Sequence, residues 1–360
     1  MKDLKILSDL IKIRSDNKEG KEIMNYLNNT LKNKVTEIKI SEGKRNILIG
    51  INTKLQDIEP IVLSGHIDTV NADEKSYLTN PYQLTIKDDK AYGLGIIDMK
   101  CFTSSVIDCL DEIKQYQSPI VLALTTDEET ELKGIENVIK EFKTLNIKPK
   151  FTIVGEPTNM KINNIANGCF EYKVEVYGKA CHSSTPNKGI NAICILAKIV
   201  TYIEELSNKY DNLVMNSNLI NGGTIINRIP DYATMSFDIR TTSYKNYQEV
   251  IKLINEKIEI LMKEYNTQIK LTKKLEIPPL SGNNPELIDK LAKKMNLKVE
   301  SFSGGCEAGY YENYSGNAIL FGTGNMDLAH KPNEYMIIND YYKYNQLLLN
   351  MIDELNDSLF

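Results

Sequence analysis

Three stretches decide the fold: PIVLSG (Pro60–Gly65), PIVLALT (Pro119–Thr125) and KFTIVG (Lys150–Gly155). Each is a short, apolar, β-rich run, and helical patterns near Cys101–Tyr116 and Gly134–Leu145 separate them. Such alternation predicts an α/β domain, a mainly parallel sheet with helices on both faces. The pattern resumes after about Asn284, with a helix near Pro285–Met295, a strand at AILFG (Ala318–Gly322) and a final helix from about Tyr341 to Leu355. In between stand EYKVEVYG, a helix from Ile190 to Asn208, strands around Gly223–Arg228 and Ala233–Arg240, a helix from Tyr247 to Lys263, and QIKLTKK. This β-α-β-β-α-β order predicts an inserted α+β domain of the ferredoxin-like, split βαβ kind. The expected boundaries are 1–167 with 276–360 for the interrupted domain and 168–275 for the insert. No internal repeat or low-complexity segment is visible.

The chain of 360 residues is longer than one hydrophobic core usually organises, which agrees with two structural units. Lys and Arg number 43 against 48 Asp and Glu, leaving a net charge of -5. A nucleic-acid backbone finds no general attraction there, so DNA and RNA are not expected partners. The six cysteines (Cys101, Cys109, Cys169, Cys181, Cys194 and Cys306) form no CxxC pair. They suit a reducing cytoplasm and read as packing residues rather than a disulfide framework or thiolate zinc site. At the N-terminus, Asp3, Ser8, Asp9 and Lys12 interrupt the leucines and isoleucines, giving an amphipathic helix in place of an export signal. The apolar stretch Ala192–Tyr202 is short and carries Lys198, so it reads as a buried helix, and no membrane span is expected.

Only three histidines occur, in SGHIDT (His66), ACHSSTP (His182) and LAHKPNEY (His330). His66 follows the PIVLSG strand and stands two residues before Asp68, so in extended chain both side chains point one way. Asp68 then either orients the imidazole for a metal or caps the next element. Asp98, after two glycines and before a helix, reads equally as a ligand or an N-cap. The run TTDEETELKG places Asp127, Glu128 and Glu129 directly after an apolar strand. Their mutual repulsion is tolerable at a solvated helix start, and a divalent cation would make the crowding favourable. Glu156 in VGEPTN also follows an apolar strand.

Convergence separates these readings better than any one motif. His66, Glu128, Glu129, Glu156 and His330 all fall at or beyond the C-terminal ends of expected strands, where open α/β sheets bind ligands. Two imidazoles and several carboxylates without thiolates suit zinc, cobalt or manganese in an open, catalytic centre.

The segments SGHIDT, GLGIIDMK, TTDEE, VGEPT, GKACHSSTPNKGINAI and LAHKPNEY resemble the M20 family of dinuclear metallohydrolases, in the family's order and over nearly the whole chain. NRIPDYATMSFDIR, GGCEAG and FGTGNMDLAHKPNEY are most similar to its acetylornithine and acetyl-lysine deacetylases. Cys306 and Glu307 stand where the succinyl-diaminopimelate desuccinylase branch typically has Ser-Asp, and Cys101 stands where the family commonly has Gly. The resemblance implies a dinuclear zinc aminopeptidase-like catalytic domain with two divalent ions per subunit, zinc or alternatively cobalt. It implies Asp98 as the bridging ligand, His66 and Glu156 completing one site, and Glu129 and His330 the other. Asp68 would orient His66, and Glu128 would be the general base.

The implied reaction is removal of acetyl from N2-acetylornithine in arginine biosynthesis. The alternatives are desuccinylation of a diaminopimelate precursor, or an acetyl-lysine deacetylase, aminoacylase or dipeptidase activity. A metal-dependent binding or sensor protein is the non-enzymatic reading. His182 reads from its neighbours as a helix-start histidine bonded to Ser183 or Ser184; the resemblance implies that it stabilises the oxyanion of a partner subunit, hence a homodimer. Arginine is scarce (Arg14, Arg45, Arg228, Arg240), and its bidentate fork suits a carboxylate. By resemblance Arg240, helped by Asn227, would hold the α-carboxylate of an N-acylated amino acid, with Glu307 facing a distal ammonium.

Overall fold

A computed structural model describes residues 4–16, 20–41 and 46–359; Asp3 of the N-terminal pattern lies outside them. The chain divides into two compact units, 1–165 with 282–302 and 307–360, and 166–281 with 303–306.

In the first unit the apolar runs become the adjacent strands Ile120–Thr125, Ile61–His66 and Phe151–Val154, in that spatial order and mutually parallel. Ala318–Leu320 adds a fourth parallel strand beside Phe151–Val154. Asn46–Gly50 and Glu37–Ile40 extend the other side antiparallel, and Ile162–Ala166 follows Ala318–Leu320 antiparallel. Neighbours such as Val62 and Leu63 point to opposite faces, and both are fully buried, so both faces of the sheet are covered. That is why these strands read as continuous apolar runs.

Phe102 and Val106 of the helix Cys101–Asp108, and Leu348 and Ile352 of the helix Ile338–Leu359, belong to the same core as Ile61, Leu63 and Leu122. The expected helix to Tyr116 is broken after Asp108 and resumes over Leu110–Ile113. The last helix starts three residues earlier than the sequence suggested, at Ile338, directly from the strand Tyr335–Ile337. Cys101 is buried with Leu7, Ile11, Ile97 and Tyr341, a packing role.

The second unit holds a four-stranded antiparallel sheet in the order Leu213–Gly222, Tyr232–Thr241, Gly168–Tyr177, Gln268–Ile277. The helices Ala192–Ser207 and Tyr244–Tyr265 share a core with it, through Ile195, Ile199, Val250, Ile254, Phe170 and Phe237. The strand expected around Gly223–Arg228 lies before it, at Leu213–Gly222, and 223–228 is a loop. The polar residues of LVMNSNLING conceal the strand, because only Leu213 and Met215 of it are buried. Among the described residues no helix is long and apolar enough to cross a membrane.

Gly155, just before Glu156, has no room for a side chain: an added Cβ would overlap the Phe102 ring. Gly155→Ala should therefore cost about 1–3 kcal/mol of stability by overpacking, read from urea unfolding in EDTA. An unchanged midpoint would show that this contact is not close-packed.

Candidate active site

Parallel pairing places His66 opposite Thr125, and Ser64 opposite Val154, so the three strands end on the same side of the sheet within two residues of one another. His66 is the last residue of its strand, Glu128 and Glu129 follow Thr125 by three and four residues, and Glu156 follows Val154 by two. Asp98 lies in the irregular turn Ile96–Lys100, and His330 lies in the loop before Tyr335–Ile337.

The two imidazoles meet at Asp98. Its Oδ1 is 2.9 Å from His66 Nε2 and its Oδ2 is 3.1 Å from His330 Nε2, while His330 Nε2 is also 2.8 Å from Glu129 Oε1. On the other side of the His66 ring, Nδ1 is 3.1 Å from the backbone carbonyl of Asp68. A carbonyl only accepts, so Nδ1 carries the proton and Nε2 is presented toward Asp98. The orienting group is thus the carbonyl of Asp68 more than its carboxylate, whose Oδ1 is 3.6 Å away. That carboxylate instead accepts the backbone N–H groups of Glu128 at 3.3 Å and Glu129 at 3.1 Å.

The three successive carboxylates divide their tasks. Asp127 is fully buried and accepts from the N–H groups of Lys133 at 3.2 Å and Gly134 at 2.7 Å, fixing the start of the helix Lys133–Thr144. Glu128 and Glu129 turn toward His66 and lie with it in one cluster of donors.

Two supporting residues carried no assignment from the sequence. Glu334, 3% exposed, accepts from the N–H groups of Gly95, Ile97 and Asp98. Lys100, 1% exposed, donates to the carbonyls of Leu10 at 3.1 Å and Ile13 at 3.0 Å, holding the end of the helix Lys5–Lys12. Their signal was present in the DMK and PNEY motifs, but long-range backbone partners leave no local spacing to read.

Burial and crowding set the electrostatics. Burial raises Glu156 to about 8, and Asp98 beside it adds to the shift. Glu128 is pushed well above the usual carboxylate range by burial and by Glu156 and Glu129. Hydrogen bonds from His330 and His66 overcome the burial of Asp98 and hold its carboxyl below its ordinary value. His330 is raised to about 10 by Asp98 and Glu129. The cluster thus favours added positive charge wherever it can take it. It also offers the right donors: His66, Asp98 and Glu156 form one set, and Asp98, Glu129 and His330 another, with ligand atoms within 4.8 Å of one another. Nitrogen and oxygen donors in two groups sharing one carboxylate fit a pair of divalent ions.

In the second unit, His182 is exposed, and its Nδ1 receives the N–H of Ser184 at 3.2 Å. Ser184 Oγ lies 2.8 Å from the same nitrogen; a backbone N–H can only donate, so Nδ1 is the acceptor and Nε2 carries the proton. Backbone pairing joins His182 to Arg228, and Asn227 accepts from the Ser183 N–H at 3.0 Å. Arg240 lies elsewhere: it pairs with Cys169, whereas Tyr232, next to the His182 loop, pairs with Tyr177. Eight residue steps of strand separate Arg240 from Tyr232, about 26 Å at roughly 3.3 Å per residue. Asn227 and Arg240, expected to act together, therefore lie toward opposite ends of the strand Tyr232–Thr241, because the twelve residues between them include most of it.

Glu307, expected to face the substrate, is buried beside the cluster, where its charge adds to the upward shifts of Glu128 and Glu156. It is 1% exposed, its Oε1 accepts from Thr125 Oγ1 at 2.6 Å, and burial raises it to about 7.

Residues 62–354 match the family described as Peptidase family M20/M25/M40. The chain is 32% identical to an acetylornithine deacetylase of Buchnera aphidicola subsp. Acyrthosiphon pisum (strain Tuc7) over 294 residues, 77% of this chain and 75% of the relative. It is 32% identical to an uncharacterized metallohydrolase of Methanocaldococcus jannaschii over 351 residues, 94% of each. Its fold is similar to that of aminopeptidase PepT from Bacillus cereus, with a TM-score of 0.76 at 19% identity, covering 98% of this chain and 97% of that one. The chain belongs to peptidase family M20/M25/M40 and is a metal-dependent hydrolase acting on amides.

Proposed function

We propose that this protein removes the acetyl group from N2-acetylornithine, giving ornithine and acetate. The observation that carries the reading is the arrangement around Asp98: two donor sets share it, and the Glu128 carboxylate, which groups with His66 and Glu129, belongs to neither of those two. Similarity to acetylornithine deacetylases supports the choice of acyl group and amine. Two bound divalent ions, zinc or cobalt given the donor set, would polarise the amide carbonyl and acidify the attacking water.

Within that frame the chain's own groups have separate tasks. Glu128 takes the proton from the water as its oxygen bonds to the acetyl carbon. It returns that proton to the amide nitrogen as the C–N bond breaks, leaving acetate and the free amine. Arg240, with Nε held by Asp238 at 2.9 Å, offers the rest of its fork to the substrate's α-carboxylate. His182 donates its Nε2 proton to the carbonyl oxygen as charge develops there. Since Asn227 shares the His182 end and Arg240 does not, the two ends serve different active sites of a homodimer. Two features support that assembly: Leu213–Gly222 is an edge strand, and Val214, Leu219, Ile220, Ile225 and Ile226 near it are exposed.

Steady-state rates with acetylornithine, acetyl-lysine, succinyl-diaminopimelate and a dipeptide panel test the substrate: acetylornithine should give the highest kcat/KM, and preference for the succinyl compound would overturn the assignment. Glu128→Gln should keep its metal and lose about 10² to 10⁴ in kcat, measured beside elemental analysis. Unchanged turnover would remove Glu128 from proton transfer. His182→Ala should retain metal with depressed kcat, and mixing it with Glu128→Gln should recover activity that neither variant has alone. No recovery after demonstrated subunit exchange would exclude action across the dimer.

A further inference from the structure

Glu334 is four residues beyond His330, in a turn where His330 and Asn333 both have positive φ, at 58° and 66°. It precedes the strand Tyr335–Ile337, which pairs antiparallel with Lys90–Tyr92, the strand that leads into the Asp98 turn. Its side chain then crosses to that turn. Oε2 accepts from Gly95 N at 3.0 Å, and Oε1 accepts from Ile97 N at 2.7 Å and Asp98 N at 3.3 Å. Its own carbonyl accepts from Gly93 N at 3.4 Å. More than two hundred residues of sequence separate the two segments, yet this one residue binds three N–H groups of the turn that presents Asp98.

A buried carboxylate is costly unless its oxygens are satisfied, and here three backbone donors satisfy them. Three converging donors also require a group that only accepts. An amide at this position would set its NH₂ against one of the backbone N–H groups. The consequence falls on the cluster, because Asp98 Oδ2 must meet His330 Nε2, 3.1 Å away. Whatever shifts the Asp98 turn relative to the His330 loop opens that contact first.

We infer that Glu334 is a positioning residue that locks the turn carrying Asp98 to the loop carrying His330 and so completes the Asp98–Glu129–His330 ion site. This rests on the two-ion reading above, and its test separates the two. Metal-free wild type and Glu334→Gln are titrated with Co²⁺ and followed by visible absorption and calorimetry, with thermal melting of both metal-free proteins alongside.

Wild type should take up two ions. Glu334→Gln should bind the first nearly as wild type does and the second about 10- to 100-fold more weakly, the loss typical when an outer partner of a ligand is removed. Its metal-free melting point should stay close to wild type. His330→Ala should weaken the same step, which identifies the site concerned. Two ions bound by Glu334→Gln with wild-type affinity would overturn the inference, as would equal weakening of both steps. A metal-free Glu334→Gln that is unfolded or strongly destabilised would also overturn it, by showing a general structural role. Wild type that binds no Co²⁺ would overturn the two-ion reading itself.

Discussion

Asp98 has one oxygen 2.9 Å from His66 and the other 3.1 Å from His330, and this single shared carboxylate dictates much of what surrounds it. A group that serves two partners tolerates little displacement, since any movement toward one withdraws it from the other. The backbone that carries it is therefore held at several points. Glu334 takes up the N–H groups on one side, and two residues after Asp98 the buried Lys100 ties the chain to the carbonyls of Leu10 and Ile13. Burial pushes that lysine down to about 7, so holding it there has an electrostatic cost that its carbonyl partners offset.

The same logic extends to the acidic run after Thr125. Three neighbouring carboxylates repel each other unless their surroundings separate them. Asp127 is diverted into N–H groups of the helix behind, and Asp68 grips the backbone of Glu128 and Glu129. Packing thereby commits two of the three side chains to the cluster. Crowded, buried carboxylates beside two imidazoles are stable as a group only with added positive charge, either protons or metal ions. A site built this way is poised for ion binding.

In the second unit one strand links two groups of polar residues. Tyr232–Thr241 carries Arg240 near one end, and its other end adjoins the loop of Asn227, Arg228 and the paired His182 segment. The hydrogen bond from the Ser184 N–H sets the tautomer of His182, so the proton on Nε2 follows from local backbone geometry. No long-range contact is needed for that.

Much of this was legible in the sequence for definable reasons. Buried parallel strands must be apolar on both faces, so PIVLSG, PIVLALT and KFTIVG announced themselves, and with them the strand ends where His66, Glu128, Glu129 and Glu156 sit. The strand Leu213–Gly222 was misplaced because it exposes most of its residues, which erases the alternation that pattern reading depends on. Sequence by itself thus determined the layered α/β architecture, the inserted β-α-β-β-α-β unit and the kinds of donors gathered at the strand ends. Only tertiary structure decided which of three adjacent carboxylates turned inward, that Asn227 and Arg240 lie apart, that Glu307 is buried, and that Glu334 clamps Asp98. Those outcomes depend on groups brought together across many residues of chain, and hydrogen-bond direction and burial have no local pattern from which they can be read.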